Sequence, residues 1–211
     1  MTAEQISYYL NILALAVILG CWMVFAGTLL YRRVGSSAKH RSREPLSWLG
    51  LILQLVSYPI SWAVWRSPVF SPFADRQYVL NIALQLIAAA VGIWSAWLAV
   101  SAIRELGKQW SLQARVLDDH NLVTTGVYSM IRHPIYTAML GMLVATGLVV
   151  SHWLALCTAI VIFLAGTKIR IHLEEKLLAE AFGEKFAAWR SAVPGLIPFT
   201  RGVKNSSRRI F

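Results

Sequence analysis

The feature that most limits what this chain can fold into is a series of long apolar runs, the first of which passes from residue 6 to residue 30 without a charged side chain. A run of that length suits the roughly 20 residues a helix needs to cross a bilayer, where every backbone polar group has to be satisfied within the segment. It ends in Tyr31-Arg32-Arg33 and not in a small-residue cleavage site, so it reads as a retained anchor. Residues 46–65 and 78–103 have the same character, with Pro59 placed to kink the second run. Residues 135–150 and 153–167 are each short for a span, and only Ser151-His152 separates them. They read as a tight helical hairpin, with Pro134 at the first helical position, where its missing N–H costs nothing. The expected fold is therefore all-α: an integral membrane bundle of five transmembrane helices, the last two a short hairpin, followed by a cytoplasmic C-terminal helical segment. One domain covers residues 1–211, made of three N-terminal spans (1–103), a region that holds the hairpin and most of the remaining polar residues (104–199) and a basic tail (200–211).

Charge then orients the bundle. With 57% apolar and 14% charged residues, a net charge of +10 is carried mainly at the ends of apolar runs, which points to membrane topology and away from nucleic acid. Arg32, Arg33, Lys39, Arg41 and Arg43 follow the first run, whereas only Arg66 and Arg76 follow the second. The first loop is expected to be cytoplasmic, which puts the N-terminus outside, residues 104–133 inside, Ser151-His152 outside and everything after Thr167 inside. Trp62, Trp65, Trp94, Trp97 and Trp153 suit aromatic belts, and the tail with Lys204, Arg208 and Arg209 suits anionic lipid headgroups. Cys21 and Cys157 lack the spacing of a disulfide framework or zinc site, and Asp118-Asp119-His120 lacks further metal ligands, so no metal is expected. There is no Gly-x-Gly spacing for a dinucleotide fold or a P-loop.

Two polar clusters flank the hairpin. Gly126, Tyr128, Arg132, His133, Pro134 and Tyr136 precede it, and Arg170, His172, Glu174 and Glu175 follow it. A hairpin that starts and ends on one face brings them together. The start of its first helix, reinforced by Arg132 and His133, is expected to hold a carboxylate or phosphate. The plain alternative is that these basic residues meet headgroups. Arg170 and Glu174, four apart, could likewise form only an exposed ion pair, and such pairs at the aqueous boundary contribute less than about 1 kcal/mol. Glu174 and Glu175 diverge by about 100° around a helix, so they are expected to take different neighbours.

The ordered set Gly126-x-Tyr128, Arg132-His133-Pro134-x-Tyr136, Arg170, Glu174-Glu175, Phe182-Gly183, Trp189, Pro194 and Pro198 resembles the isoprenylcysteine carboxyl methyltransferase family and the related phospholipid methyltransferases, over residues 106–199. Leu106-Gly107-Lys108-Gln109-Trp110-Ser111 and His120-x-Leu122-Val123 are similar to bacterial members, which implies a bacterial inner membrane. The resemblance implies S-adenosylmethionine as cofactor, held by Gly126, Tyr128, His133, Pro134, Tyr136 and Glu174 or Glu175. It also implies a lipid-like acceptor entering from the bilayer, with Arg132 and Arg170 orienting the acceptor or the catalytic carboxylate. Trp189 stands where tyrosine is frequent, and Ala138 near a usual glycine. A carboxylate acceptor needs positioning and no base, whereas an amine acceptor needs Glu174, Glu175 or His133 as base. An NADPH-dependent sterol-type reductase and a non-catalytic scaffold or lipid-binding protein are the rival classes.

Overall fold

A computed structural model of the chain describes residues 2–33, 40–43, 46–63, 78–107, 115–117 and 121–197. Within these, six α-helices form the molecule: α1 (Ala3–Arg33), α2 (Ser47–Ala63), α3 (Tyr78–Leu106), α4 (Pro134–Val150), α5 (Trp153–Phe182) and α6 (Glu184–Ala192). Three of them, α1, α3 and α5, are long and apolar enough to cross a membrane, and the chain is an integral membrane protein. Trp65, Arg66, Arg76, Lys39, the Lys108–Ser111 motif, Asp118-Asp119-His120, Pro198 and the basic tail lie outside the described residues.

The purely helical expectation is departed from at one place. Two short strands, β1 (His40–Arg43) and β2 (Arg115–Leu117), pair antiparallel, with Arg43 opposite Arg115 and His40 opposite Leu117. The pairing ties the chain after α1 to the chain after α3, so the C-terminal ends of both helices stand at the same end of the bundle. A second departure is α5. It does not stop where its apolar run stops near Thr167 but continues unbroken through Arg170, Glu174 and Glu175 to Phe182. Leu, Ala, Glu and Lys dominate that extension and favour helix, so nothing in the sequence interrupts the turns. The break comes at Gly183, whose φ of 50° is open to a residue without a Cβ, and α6 starts there.

Helix α4 lies at the centre, with no exposed residue along its length. It packs on α1, α2, α3 and α5, and its length of 17 residues gives only about 25 Å of rise. On one side α1 and α3 pair through Ala14, Ile18, Cys21 and Phe25 against Ala88, Ala96, Ala99 and Ala102, and Asn81 Nδ2 donates to Ser7 Oγ at 2.6 Å. On the other, α2 presents Ser47, Gly50, Leu51, Gln54, Ser57 and Ser61 as its buried residues. Small side chains let two backbones approach closely in lipid, where hydrophobic burial gives helices no preference for each other. Gly50 accordingly meets Gly166 of α5, and Gln54 Nε2 donates to Thr167 Oγ1 at 2.8 Å. Leu49, Ile52, Leu55 and Val56 of α2 face outward, as do Trp94, Trp97 and Trp153 elsewhere, while Trp62 is half-buried against the α1–α4 core. Pro59 is accommodated within α2.

Candidate active site

The two polar clusters meet, because α4 begins and the extension of α5 ends at the same level of the bundle. Residues 126–129 form a 3-10 turn leading into α4. Gly126 there has φ 54°, and a Cβ on it would lie 2.0 Å from Glu105 Oε1 at the end of α3. The positive φ favours glycine, while the Glu105 side chain, exposed and flexible, could yield to a Cβ. Tyr128 is buried beneath this turn, and its carbonyl accepts from Trp189 Nε1 at 3.2 Å. Trp189 packs edge-on against buried Phe186, so α6 is docked on the turn by an indole where a tyrosine is frequent.

His133 is the hub. It is buried at the N-cap of α4 and directs Nε2 at Glu175 Oε1 (3.1 Å) and Nδ1 at Glu174 Oε2 (3.7 Å). Nε2 is within hydrogen-bond distance of one carboxylate and Nδ1 faces the other across a longer gap, so the surroundings favour a proton on the ring. Burial alone would lower its pKa, but the hydrogen bonds and charges of Glu174 and Glu175 outweigh that and hold it above the ordinary histidine value. The two carboxylates then diverge. Glu174 accepts from the Tyr136 hydroxyl and lies 3.6 Å from Arg170, while Arg170 Nε donates to the Tyr136 oxygen at 2.8 Å and its guanidinium sits 5.2 Å over the Tyr136 ring. Glu175 turns the other way, to Arg132 (3.0 Å) and Arg190 of α6 (3.1 Å). His133 and Tyr136 stack with ring centroids 5.9 Å apart.

Several expectations need correction. The anion expected at Arg132 is supplied from within the chain: just before α4 the backbone N–H groups of Arg132 and His133 donate to the carbonyls of Pro194 (2.9 Å) and Gly195 (3.0 Å), and the carboxylate facing Arg132 is the chain's own Glu175. The ion pairs are not exposed. Arg170, Glu175 and His133 are 4%, 7% and 7% exposed, so the expected cost of less than 1 kcal/mol for breaking a pair is too small. His172, expected at the same opening, is exposed and has no bond to this network among those described. Pro134 contributes as the first residue of α4. Sequence reasoning missed two neighbours: Arg190, whose only signal is its place beside Trp189, and Glu105, which reaches the turn from α3 and accepts from Thr125 Oγ1 at 3.5 Å.

Comparison with known proteins bears on this geometry directly. The family model for isoprenylcysteine carboxyl methyltransferases matches residues 88–180, from mid-α3 through both polar clusters. That segment belongs to the isoprenylcysteine carboxyl methyltransferase family. The protein-S-isoprenylcysteine O-methyltransferase of Xenopus laevis is 36% identical over 87 residues, 41% of this chain and 30% of that protein. The Tribolium castaneum enzyme of the same name is 30% identical over 123 residues, 57% of this chain and 44% of that protein. Protein-S-isoprenylcysteine O-methyltransferase B of Arabidopsis thaliana is 30% identical over 134 residues, 62% of this chain and 66% of that protein. The matches thus span under half the length of the frog and beetle relatives. All three are eukaryotic and lend no support to a bacterial source.

Proposed function

We propose that the chain is an S-adenosylmethionine-dependent methyltransferase acting on the carboxylate of a prenylcysteine-like or other lipid-like acceptor. The observation that carries this reading is the Glu174–Tyr136–Arg170 arrangement against His133. Glu174 keeps a quarter of its side chain accessible while Tyr136, His133 and Arg170 are buried behind it. An accessible carboxylate beside an aromatic ring fits a cationic donor, and bound S-adenosylmethionine would supply an activated methyl group there. In this reading Gly126, Tyr128, His133, Pro134 and Tyr136 surround the cofactor with Glu174. Arg170, fixed by the Tyr136 hydroxyl, orients the acceptor or Glu174, and Arg132 and Glu175 stand behind His133.

The same network favours a carboxylate over an amine. Methyl transfer to an amine needs a group to take its proton. His133 directs both nitrogens at carboxylates, Glu175 is engaged by Arg132, Arg190 and His133, and Glu174 by Tyr136, Arg170 and His133. None of the three is free to act as base. A carboxylate, already ionised at neutral pH, needs only alignment about 3 Å from the donor and exclusion of water. The family's relatives, named for prenylcysteine O-methylation, support the same choice.

The proposed topology has five crossings, with the N-terminus outside and the site, residues 104–133 and the C-terminal segment cytoplasmic. The β1–β2 pairing supports it, since it joins the segments after α1 and α3 at one end of the bundle. Purified protein incubated with methyl-labelled S-adenosylmethionine and either prenylated cysteine or phosphatidylethanolamine tests the assignment. Base-labile label on the prenylcysteine is expected. Label on the amine lipid, or affinity for NADPH without affinity for S-adenosylmethionine, would overturn it.

A further inference from the structure

Residues 193–196, immediately after α6, cross the start of α4 as a strap, and almost every bond that holds them there runs through the Arg132–His133 step. The Arg132 guanidinium donates to the carbonyls of Arg190 (2.7 Å) and Val193. Its backbone N–H donates to Pro194 (2.9 Å) and that of His133 to Gly195 (3.0 Å), and Thr137 Oγ1 donates to Leu196 (2.6 Å). The other edge of the Arg132 guanidinium faces Glu175 at 3.0 Å through both Nε and a terminal nitrogen. Only 14% of the Arg132 side chain is exposed. Four of the five N–H groups of this planar fork thus face protein acceptors, which leaves it no paired edge with which to hold an acceptor's carboxylate bidentately.

We propose that Arg132 is a positioning residue: with Glu175 and Arg190 it latches the strap across the start of α4 and so fixes the His133 ring against Glu174. The chain of contacts is continuous. Arg132 and Arg190 hold opposite oxygens of Glu175, Oε1 and Oε2, and Oε1 is also the atom that His133 Nε2 faces. Releasing the strap frees the His133 N–H and one carboxylate contact together, and the ring that faces Glu174 loses its orientation. The latch acts on cofactor affinity, since its last link is His133, whereas Arg170, on the far side of Glu174, acts on the reacting groups.

This rests on the methyltransferase reading for its affinity arm only. In full-length protein, amide exchange at Arg132 and His133 reports the strap directly, because their N–H groups bond to Pro194 and Gly195. Arg132→Lys keeps the charge and loses the fork. Losing one charge-assisted bond should speed exchange at both amides by about tenfold and raise the dissociation constant of S-adenosylhomocysteine by a similar factor. At saturating S-adenosylmethionine the loss in kcat should be smaller than the loss in affinity, since uniform binding and not the transition state is affected. If Arg132→Lys does not fold, Thr137→Val removes one strap bond without touching a charge, and should speed the same exchange by about threefold. Parental exchange in a folded Arg132→Lys protein whose kcat has collapsed would overturn the latch and return Arg132 to the acceptor. Parental exchange in Thr137→Val would overturn it as well. A chain that binds no S-adenosylhomocysteine, yet shows the faster exchange, would retain the latch and lose the methyltransferase reading.

Discussion

Gly50→Ala offers the sharpest test of how packing reaches the site. A Cβ on Gly50 would stand 2.6 Å from Arg170 Cγ and 2.7 Å from the Gly166 carbonyl oxygen, and one on Gly166 would stand 2.6 Å from the Gly50 carbonyl. Carbon atoms settle at roughly 3.5–4.0 Å, so α2 and α5 must part by about 1 Å. The obstruction is backbone on one side, and on the other an arginine that cannot swing away, since its Nε is bonded to the Tyr136 hydroxyl at 2.8 Å. Overpacking of this kind costs about 1–3 kcal/mol, and the constraint on both sides points to the upper end. For a chain of this length that lowers the melting temperature by about 6–12 °C. A shift of about 1 Å at Arg170 should also reduce turnover on the order of 100-fold. Gly20→Ala and Gly27→Ala are the controls, because a Cβ at either position meets nothing within 4 Å. The assay is thermal unfolding in detergent by tryptophan fluorescence, with transfer of labelled methyl measured on the same preparations. A Gly50→Ala protein that melts with the parent and turns over at the parental rate would refute the reasoning, and so would equal damage from Gly20→Ala.

Glu174→Gln and Arg170→Lys should each reduce kcat by on the order of 100-fold, read by methyl transfer at saturating substrates, because each keeps the shape or charge and loses the alignment. Glu175→Gln should chiefly destabilise, by about 3–5 kcal/mol in a denaturant titration, since it leaves Arg132 and Arg190 around a buried neutral amide. His133 has its pKa raised on folding, so the stability it contributes is complete below about pH 6.5 and is lost as pH rises through the folded value; His133→Gln should flatten the melting-temperature profile on that alkaline side. Cysteine-accessibility labelling of His152→Cys should mark the outer face and of His172→Cys the cytoplasmic face, and labelling of both from one side would defeat the five-span topology.

The long apolar runs showed α1, α2 and α3 within a few residues of their ends, because a bilayer imposes its length on the sequence. The pairing of the clusters was legible too, since Ser151-His152 leaves no room for anything but a return. What was not legible depended on tertiary partners. An apolar run ending near Thr167 does not end a helix when the next residues are good helix formers, so α5 was read too short. That Arg132 faces the chain's own Glu175 was not legible, since the two lie 43 residues apart, and the carbonyls that take the Arg132 and His133 N–H groups lie further still. Nor does a heptad of Ser47, Gly50, Gln54, Ser57 and Ser61 announce which helix it will face. Small residues state that a close neighbour exists and not which one.

The continuity of α5 has a physical consequence for the acceptor. One face of the helix begins with Trp153 and Leu154, runs on through exposed Val161 and Leu164, and turns basic at Lys168, His172 and Lys176, which succeed one another at four-residue spacing. Residues four apart share a helix face, so the change from apolar to basic marks where that face leaves hydrocarbon for headgroups. Glu174 lies six residues beyond Lys168, about 9 Å along the axis. The lipid boundary and the carboxylate proposed to face the donor, Glu174, are therefore fixed to one rigid rod, and their separation cannot vary with loop motion. An acceptor that keeps its apolar chain in the bilayer must bring its own carboxylate about 9 Å above the Lys168 level to be aligned. A residue advances the chain by at most about 3.5 Å, so on the proposed reading a prenylcysteine-like acceptor reaches that level only if the end of its apolar chain also rises past Lys168.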